Sequence, residues 1–357
     1  MNRAHLFLNA GLAVCLAVLW GLSGALECGR KQKLRAASAF HALAGTGEPQ
    51  AKDVARIDLK LPGSTTTWSY VRRPEGWRMP QYRDAFADGQ ALDVLSSAFI
   101  EGRGTVAGHM PGDADHFGIS SGRTLAAAFH DAAGMLLLHA VAGSPAPGPR
   151  GDECFATASG RDFILHLNAN PWPSVSGWTP AHRFPPLTDV QVMPRALGRG
   201  LPIKVTFGGA SIPAVRELQR RKMPDERREP IDRGPRFEWY GVTDRGARRL
   251  NDEAAFSCIG ALTGLQFDDV IGGRSGSAMD FARPSKLVTL AYEGGTTDTL
   301  ALLVTEAGGS CAVLSTATNQ VFLVAAEKTR AFAPDVKALL ASPRPVTPPA
   351  PVLKAPP

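Results

Sequence analysis

The chain has few of the residue patterns from which a chemical activity can be predicted. Its five cysteines form neither a Cys-x-x-Cys pair nor a Cys/His spacing, which argues against a disulfide scaffold and against structural zinc. No glycine-rich segment carries the Lys-Ser/Thr of a nucleotide site. Basic residues outnumber acidic ones by only six and are scattered among them, without the basic stripe of a nucleic-acid-binding protein. We therefore predict no catalytic residue, cofactor, metal or nucleic-acid partner.

Three of the cysteines fall in predicted structural elements. Cys154 and Cys311 lie in corresponding hairpins of the two chain halves described below, and Cys258 lies on a predicted helix face. We expect buried free thiols, because free cysteine behaves as a small apolar residue. The sequence leaves the disulfide state of Cys154 and Cys311 open.

The N-terminus predicts a membrane segment. Residues 6–26 are 21 consecutive residues without a charge, and a spanning helix needs about 20. Ser23-Gly-Ala25 resembles a cleavage site, so a cleaved signal peptide competes with an uncleaved anchor. We favour an anchor within residues 1–27, because of the length of the apolar run.

The residues after this segment bear on orientation. Four basic side chains follow it, at Arg30, Lys31, Lys33 and Arg35, and the positive-inside rule would hold them in the cytoplasm. Large domains often translocate regardless of flanking charge, so we expect a single-pass bacterial membrane protein with an extracytoplasmic or periplasmic body. Residues 28–50 are expected to form a linker, and the proline-rich residues 341–357 a disordered tail.

The body between these ends shows an internal repeat. Trp77 precedes the start of a helical pattern at Gly89 by 12 residues, and Trp239 precedes Asn251 by the same distance. A shift of 162 residues also carries Leu125 onto Leu287, each at the start of a strand pattern. Matched order and spacing indicate duplication. We predict two α+β repeats, residues 51–170 and 171–340, each an antiparallel hairpin meander with a packed helix.

In the first repeat, apolar alternation and turn residues predict a series of strands around one helix. Leu92, Leu95 and Phe99 define the buried face of that helix, with Asp88 as its N-cap. The predicted strands are residues 53–60, 65–72, 123–130, 135–141, 153–157 and 163–167.

The second repeat is predicted in the same way. Residues 189–192 and 202–207 are expected to be its opening strand pair, and the charged segment from Arg216 to Glu229 a solvated loop or short surface helix that could serve as a docking segment. Pro334 is expected to begin a short closing helix. The helix face consists of Ala255, Cys258, Ile259 and Leu262, and the later strands are residues 286–292, 299–305, 311–315 and 320–325.

Two stretches resemble sites. Gly118-Ile-Ser-Ser-Gly122 matches a nucleophile elbow with Ser120 as nucleophile, but a strand rather than a helix is predicted to follow, so we favour a turn. His109, Asp113, Asp115 and His116 crowd one loop and could hold a metal, although the Pro-Gly between them favours a solvated loop. Trp77 and Trp239 could stack on a sugar, but packing anchors are the simpler interpretation.

The order of these segments resembles a known family. Asp53-Val-Ala-Arg-Ile-Asp-Leu59, Gly76-Trp77, an amphipathic helix, Asp115-His-Phe-Gly-Ile119 and the hairpins that follow are similar to the bacterial "domain of unknown function 4340". The resemblance covers about residues 50–170 and continues more faintly to 330. It departs at Asp280-Phe-Ala282, where the family pattern has an aromatic residue followed by glycine.

The resemblance implies a membrane-anchored envelope protein without catalytic residues. Members of that family occur beside auxiliary components of ABC transporters of the gliding-motility type. We therefore expect a non-enzymatic envelope protein with a duplicated interaction domain and a protein partner. The alternative is an extracytoplasmic ligand-binding protein or a hydrolase that uses Ser120 or the loop of His109 and His116.

Overall fold

The computed structural model describes residues 40–44, 49–120, 122–148, 151–210, 213–222, 237–304 and 309–340. Here the chain divides into two compact units. One comprises the chain up to Arg73 together with Gly89–Leu187, and the other comprises Pro74–Asp88 together with the chain from Thr188 onward. The predicted anchor and tail lie outside the described residues. Within them, no helix has both the length and the apolar character needed to cross a membrane.

The first unit is built on an antiparallel sheet. Its strand order is β1-β6-β12-β11-β8-β7-β2-β3, and β9 pairs with β10 in a separate small ribbon. The β4 and β5 strands pair with each other and belong to the second unit. The strands are β1 (His41–Ala42), β2 (Arg56–Lys60), β3 (Thr67–Arg73), β4 (Gly76–Met79), β5 (Ala85–Phe86), β6 (Arg103–His109), β7 (Leu125–His130), β8 (Leu136–Ala142), β9 (Ala146–Gly148), β10 (Gly151–Glu153), β11 (Phe155–Ala158) and β12 (Phe163–Leu167).

The second unit has an antiparallel sheet of its own, in the order β16-β15-β14-β13-β18-β19-β20-β21-β17. Consecutive strands from β18 to β21 are neighbours, as expected of a meander. The strands are β13 (Lys204–Gly208), β14 (Glu217–Lys222), β15 (Phe237–Thr243), β16 (Gly246–Arg249), β17 (Asp269–Gly273), β18 (Lys286–Ala291), β19 (Thr297–Val304), β20 (Ser310–Ser315) and β21 (Gln320–Ala325).

Each unit carries one longer helix, and the described residues add a short third one: α1 (Gly89–Ile100), α2 (Asp252–Thr263) and α3 (Val336–Leu340). In α1 the predicted face of Leu92, Leu95 and Phe99 is fully buried, and the Phe99 ring lies 5.7 Å from that of Phe129 on β7. Asn251 caps α2 by accepting from the amides of Glu253 and Ala254. The α+β class and the antiparallel character of the sheets are confirmed.

The sheet face opposite each helix is covered by a loop. In the first unit, Ala114 and Ile119 of the loop after β6 are buried against Ile164, with Phe117 and Phe155 packed beside them. Side chains alternate between faces along a strand, so this cluster lies on the other side of the sheet from Phe129.

The second unit repeats this arrangement. Phe281, in the loop after β17, packs against Ala301, Ala312, Leu314 and Val321. These residues lie on the face opposite the one that carries Leu300. The strand register places Leu300 on the same face as Trp239, whose ring contacts Phe256 of α2. Both sheets therefore bury apolar residues on two faces.

Pro74–Asp88 forms an arm of the second unit. The Tyr82 hydroxyl donates to Asp269 of β17 at 2.9 Å, and burial together with this bond raises the pKa of Tyr82 to about 12. The Gln320 side chain donates to the carbonyls of Arg83 and Asp84 at 3.1 and 2.9 Å. Arg83 and Asp84 both have the left-handed backbone that non-glycine residues seldom adopt, with φ of 51° and 57°. The arm is thus held by side chains of β17 and β21.

Several predicted elements are confirmed. The strand predicted at residues 163–167 is observed with the same bounds. The other five strands predicted in the first repeat correspond to β2, β3, β7, β8 and β11 within three residues at either end, whereas β1, β4, β5, β6, β9 and β10 were not predicted. The four predicted late strands of the second unit correspond to β18, β19, β20 and β21. The closing helix exists as α3, but it begins two residues after Pro334, where the Asp335 carboxylate accepts from the Lys337 amide at 2.9 Å.

Two second-unit predictions are wrong. Residues 189–192 form a loop with a single bridge between Gln191 and Gln266, rather than a strand of the sheet. The charged segment from Arg216 contains β14, which lies inside the sheet between β13 and β15, and its residues 223–229 fall outside the described residues. The charges of this segment suggested an exposed loop or surface helix. Arg220 and Arg221 instead occupy strand positions and place their guanidinium groups over the rings of Phe237 and Tyr240.

The two tryptophans occupy matching places before the longer helices, as their equal spacing predicts. Trp77 lies on β4 and Trp239 on β15, and each of these is the second strand before the helix. The Trp77 carbonyl accepts from the Ala87 amide at 2.9 Å and the Trp239 carbonyl from the Leu250 amide at 2.8 Å, and each amide lies two residues before its helix begins. Both indoles are buried, as predicted for packing anchors.

We predict that Gly143→Ala destabilises the first unit by about 1–3 kcal/mol, the usual range for overpacking. A methyl group at Gly143 would overlap the backbone carbonyl of Phe117, so the loop after β6 must lift from the sheet. Urea unfolding and hydrogen exchange of the Ile119 amide, which bonds to the Ala114 carbonyl at 2.8 Å, measure the effect.

Gly112→Ala is the matched control, because Gly112 lies in the loop after β6 and its added methyl group would meet nothing within 4 Å. Equal stability of the two variants would contradict the role assigned to close packing at Gly143.

Candidate functional site

The loop with the predicted histidine, aspartate and serine residues is held together by its own polar groups. The Asp113 carboxylate accepts from the His109 amide at 2.8 Å, and the Ser120 hydroxyl donates to Asp115. The His116 ring lies edge-on to Phe117, which is part of the apolar cluster on the sheet. These interactions explain the residue types of the loop through packing and turn formation.

Two functions were predicted as alternatives for this loop, a serine nucleophile at Ser120 and a metal site at His109 and His116. In the part of the chain that the structure describes, Ser120 has its hydrogen bond with an aspartate rather than a histidine, and no group of three metal-ligating side chains converges. A nucleophile elbow requires a histidine base beside the serine. The structure therefore brings Ser120 to Asp115, and it does not bring His109 and His116 into one ligand set.

The two tryptophans are placed for packing. Trp77 and Trp239 are both buried, and the Trp239 ring makes an edge contact with Phe256 of α2 at 6.3 Å. A sugar stacks on an indole face that solvent can reach, so neither ring offers a stacking platform in this arrangement.

A rigid apolar tip projects from the first unit. Between β7 and β8, one Asp131 carboxylate oxygen accepts from the amides of Ala133 and Met135 at 2.9 and 2.8 Å, which fixes the turn. Met135 is 68% exposed and the adjacent Leu136 is 56% exposed. We call residues 131–136 the apolar tip. Two consecutive large apolar side chains on a fixed turn mark a contact surface more strongly than scattered ones.

A cavity of about 360 Å³ lies within the second unit, and we call it the Tyr292 cavity. Its apolar walls are Met193, Pro194, Leu201 and Pro202, and the end of α2 contributes Gly260, Thr263 and Gly264. The remaining lining residues are Gln191, Arg195, Arg199, Gly200 and Tyr292. Apolar walls with a few convergent polar groups are typical of small-molecule sites, and this volume is near their lower limit.

The polar groups of this cavity are ordered by a buried carboxylate. Asp298 of β19 is 2% exposed and accepts from Nε and Nη2 of Arg199 at 2.9 and 3.4 Å. Tyr292 follows β18 and is 5% exposed, and among the described residues its hydroxyl has no hydrogen-bond partner. Burial and the nearby Asp298 raise the pKa of Tyr292, which Arg199 opposes, so the hydroxyl remains a protonated donor at neutral pH.

The wall of the Tyr292 cavity is fixed by hydrogen bonds from its backbone amides. The Asp189 carboxylate accepts from the amides of Gln191 and Arg195, both at 3.1 Å, and burial raises its pKa. The Val192 amide donates to the Leu265 carbonyl at 2.8 Å, next to the end of α2. The segment misassigned as a strand is therefore an ordered loop, and the cavity is preformed.

Sequence reasoning missed both of these features. Asp131-Ala-Ala-Gly134 was recognisable as a turn, but exposure of Met135 and Leu136 depends on which face neighbouring elements leave open. Arg199, Tyr292 and Asp298 are separated by up to 99 residues and form no motif. The one available signal was an aspartate at an apolar strand position in Thr297–Val304.

Comparison of the chain with protein-family profiles, characterised proteins and solved structures finds no match.

The described cysteines are all free thiols. Cys154 and Cys311 are buried, and Cys258 is half-buried on α2. Burial raises the pKa of Cys154 to about 12 and that of Cys258 to about 11. Since the thiolate is the reactive form, both thiols are protonated and inert near neutral pH.

We predict that an aromatic disulfide reagent at pH 8 labels Cys154 and Cys258 far more slowly in the folded protein than in guanidinium. Burial restricts access, and the raised pKa values keep the thiolate fraction small. Peptide mapping after labelling measures each site. Rapid labelling of Cys154 in the folded state, or recovery of a Cys154–Cys311 disulfide peptide, would contradict this assignment.

Proposed function

We propose that the protein is a non-enzymatic, single-pass envelope protein whose extracytoplasmic body binds a protein partner through the apolar tip. The observation that carries this proposal is the exposure of Met135 and Leu136 on a turn fixed by Asp131. A preordered turn loses little conformational freedom when it binds, which favours its use as a contact.

The N-terminal sequence supports the envelope part of the proposal. The uncharged run of residues 6–26 is long enough for an anchor. Residues 28–50 have the composition of a tether, although His41–Ala42 within them pair with β6 as β1. With the membrane held by residues 6–26, the apolar tip is available for a protein recess. The resemblance to the family of domain of unknown function 4340 supports an accessory role beside an ABC transporter or gliding-motility complex.

We also propose that the two units arose by duplication. The order β6-β12-β11-β8-β7-β2-β3 in the first unit corresponds step by step to β17-β21-β20-β19-β18-β13-β14 in the second. In each series the first five strands follow the longer helix of the unit in the chain, and the last two precede it. Phe117 and Phe281 occupy corresponding loops and cover corresponding sheet faces. This support comes from topology and packing, and it is independent of the tryptophan spacing.

An enzymatic alternative based on Ser120 or on His109 and His116 receives no comparable support. Their loop is accounted for by its packing on the sheet and its internal hydrogen bonds.

We predict that replacing Met135 and Leu136 with serine reduces recovery of the partner at least tenfold in affinity purification of the full chain from detergent extract. Loss of two anchors at a contact centre commonly has an effect of this size. Thermal stability should change little, because both side chains are exposed in the free protein.

Val94→Ser is the control, since Val94 is half exposed on α1 of the same unit. A photo-crosslinking residue at position 135 identifies what contacts the tip. Unchanged recovery of every bound protein in the double variant, or crosslinks to lipid alone, would overturn the proposal.

A further inference from the structure

We propose that the Tyr292 cavity binds a small carboxylate with a short apolar body, its carboxylate held by the Tyr292 hydroxyl and the Arg199 guanidinium. This inference goes beyond the proposed partner contact and uses a different unit of the chain.

The Tyr292 hydroxyl lacks a hydrogen-bond partner among the described residues. Buried hydroxyl groups nearly always have a hydrogen-bond partner from protein, water or ligand. The Tyr292 hydroxyl oxygen is buried and has none among the described residues, and the residue lines the cavity. Its raised pKa makes it a donor, so the missing partner is an acceptor.

The Arg199 guanidinium has N–H groups that Asp298 does not use. A guanidinium has five N–H donors, and Asp298 takes one at 2.9 Å and a second at 3.4 Å. The side chain is about a third exposed, with its carbon Cζ 5.9 Å from the centre of the Tyr292 ring. The buried carboxylate therefore fixes the plane of Arg199 next to Tyr292 and leaves N–H groups for a ligand.

The charges around the cavity limit the charge of the ligand. The lining contains Arg195 and Arg199 and no carboxylate, because Asp298 and Asp189 act from behind it. The charges of Asp298 and Asp189 offset those of Arg199 and Arg195. The unused N–H donors of Arg199, rather than a net positive charge, therefore make the cavity suit one anionic group and no more. The carbonyl end of α2 at Gly264 is unfavourable for a second one.

The apolar walls of the cavity determine what the rest of the ligand can be. Met193, Pro194, Leu201 and Pro202 line the cavity with apolar surface, and the volume of about 360 Å³ admits only a small molecule. A phosphate ion would satisfy the donors but leave this surface wet. A branched short-chain carboxylate satisfies both.

The test is titration of the full chain with 4-methylpentanoate, its neutral amide, leucine and inorganic phosphate. Binding of the carboxylate in the millimolar range or tighter, at least tenfold stronger than the amide or phosphate, is expected. Preference for leucine would place an ammonium acceptor at the end of α2 and would still assign the carboxylate to this site. No carboxylate binding to the unmodified chain would overturn the inference.

Tyr292→Phe separates a ligand-binding role from a structural one. Its hydroxyl has no partner to lose, so we predict an unchanged or raised thermal midpoint without ligand, together with at least tenfold weaker carboxylate binding. Tyr240→Phe is the matched control, because its hydroxyl donates to Glu238 at 3.0 Å outside the cavity lining. This variant should lower the midpoint and leave binding intact.

Arg199→Gln should also weaken binding, and its circular dichroism spectrum reports whether the unpaired Asp298 has disturbed the fold. Unchanged affinity in a folded Tyr292→Phe variant would overturn the inference. Failure of this test leaves Met135 and Leu136 unaffected, since the partner contact is measured with separate variants.

Discussion

The fold depends on covering both faces of each antiparallel sheet. A single helix of about three turns covers only part of one face, and the strands carry apolar residues on both. The loops after β6 and β17 complete the coverage, with Phe117 and Phe281 as their central rings. Glycine makes the first of these contacts close enough, since a methyl group at Gly108 would come within 2.6 Å of the Phe117 ring. The resemblance of the first loop to a catalytic motif follows from this packing requirement.

The same constraint explains where contact surfaces remain. A sheet with two covered faces presents its hairpin ends and the gaps beside its helix. The apolar tip is a hairpin end, and the Tyr292 cavity lies where the loop before β13 passes the end of α2. In both places a carboxylate orders the backbone, Asp131 in the tip and Asp189 at the cavity wall. Rigid surroundings favour binding because less freedom is lost on association.

Strand prediction succeeded where local pattern and burial agree. In β7 the residues Leu125, Ala127 and Phe129 face inward in strict alternation, and the strand was predicted within two residues. It failed at β14, where arginines on aromatic rings resemble a surface segment, and it did not predict β6 or β17. In β6, Gly104 and Gly108 occupy strand positions because neighbouring backbone and the Phe117 ring approach them closely.

The sequence by itself determined the α+β class, the helix faces and most of the hairpins, because these depend on residues only a few positions apart. It also indicated buried thiols and buried tryptophans, which follow from residue type. Only the tertiary structure decided that Ser120 bonds to Asp115, that β14 lies inside the second sheet, and that Arg199, Tyr292 and Asp298 converge. Such contacts arise from strand order and loop packing, and no local pattern in the chain encodes them.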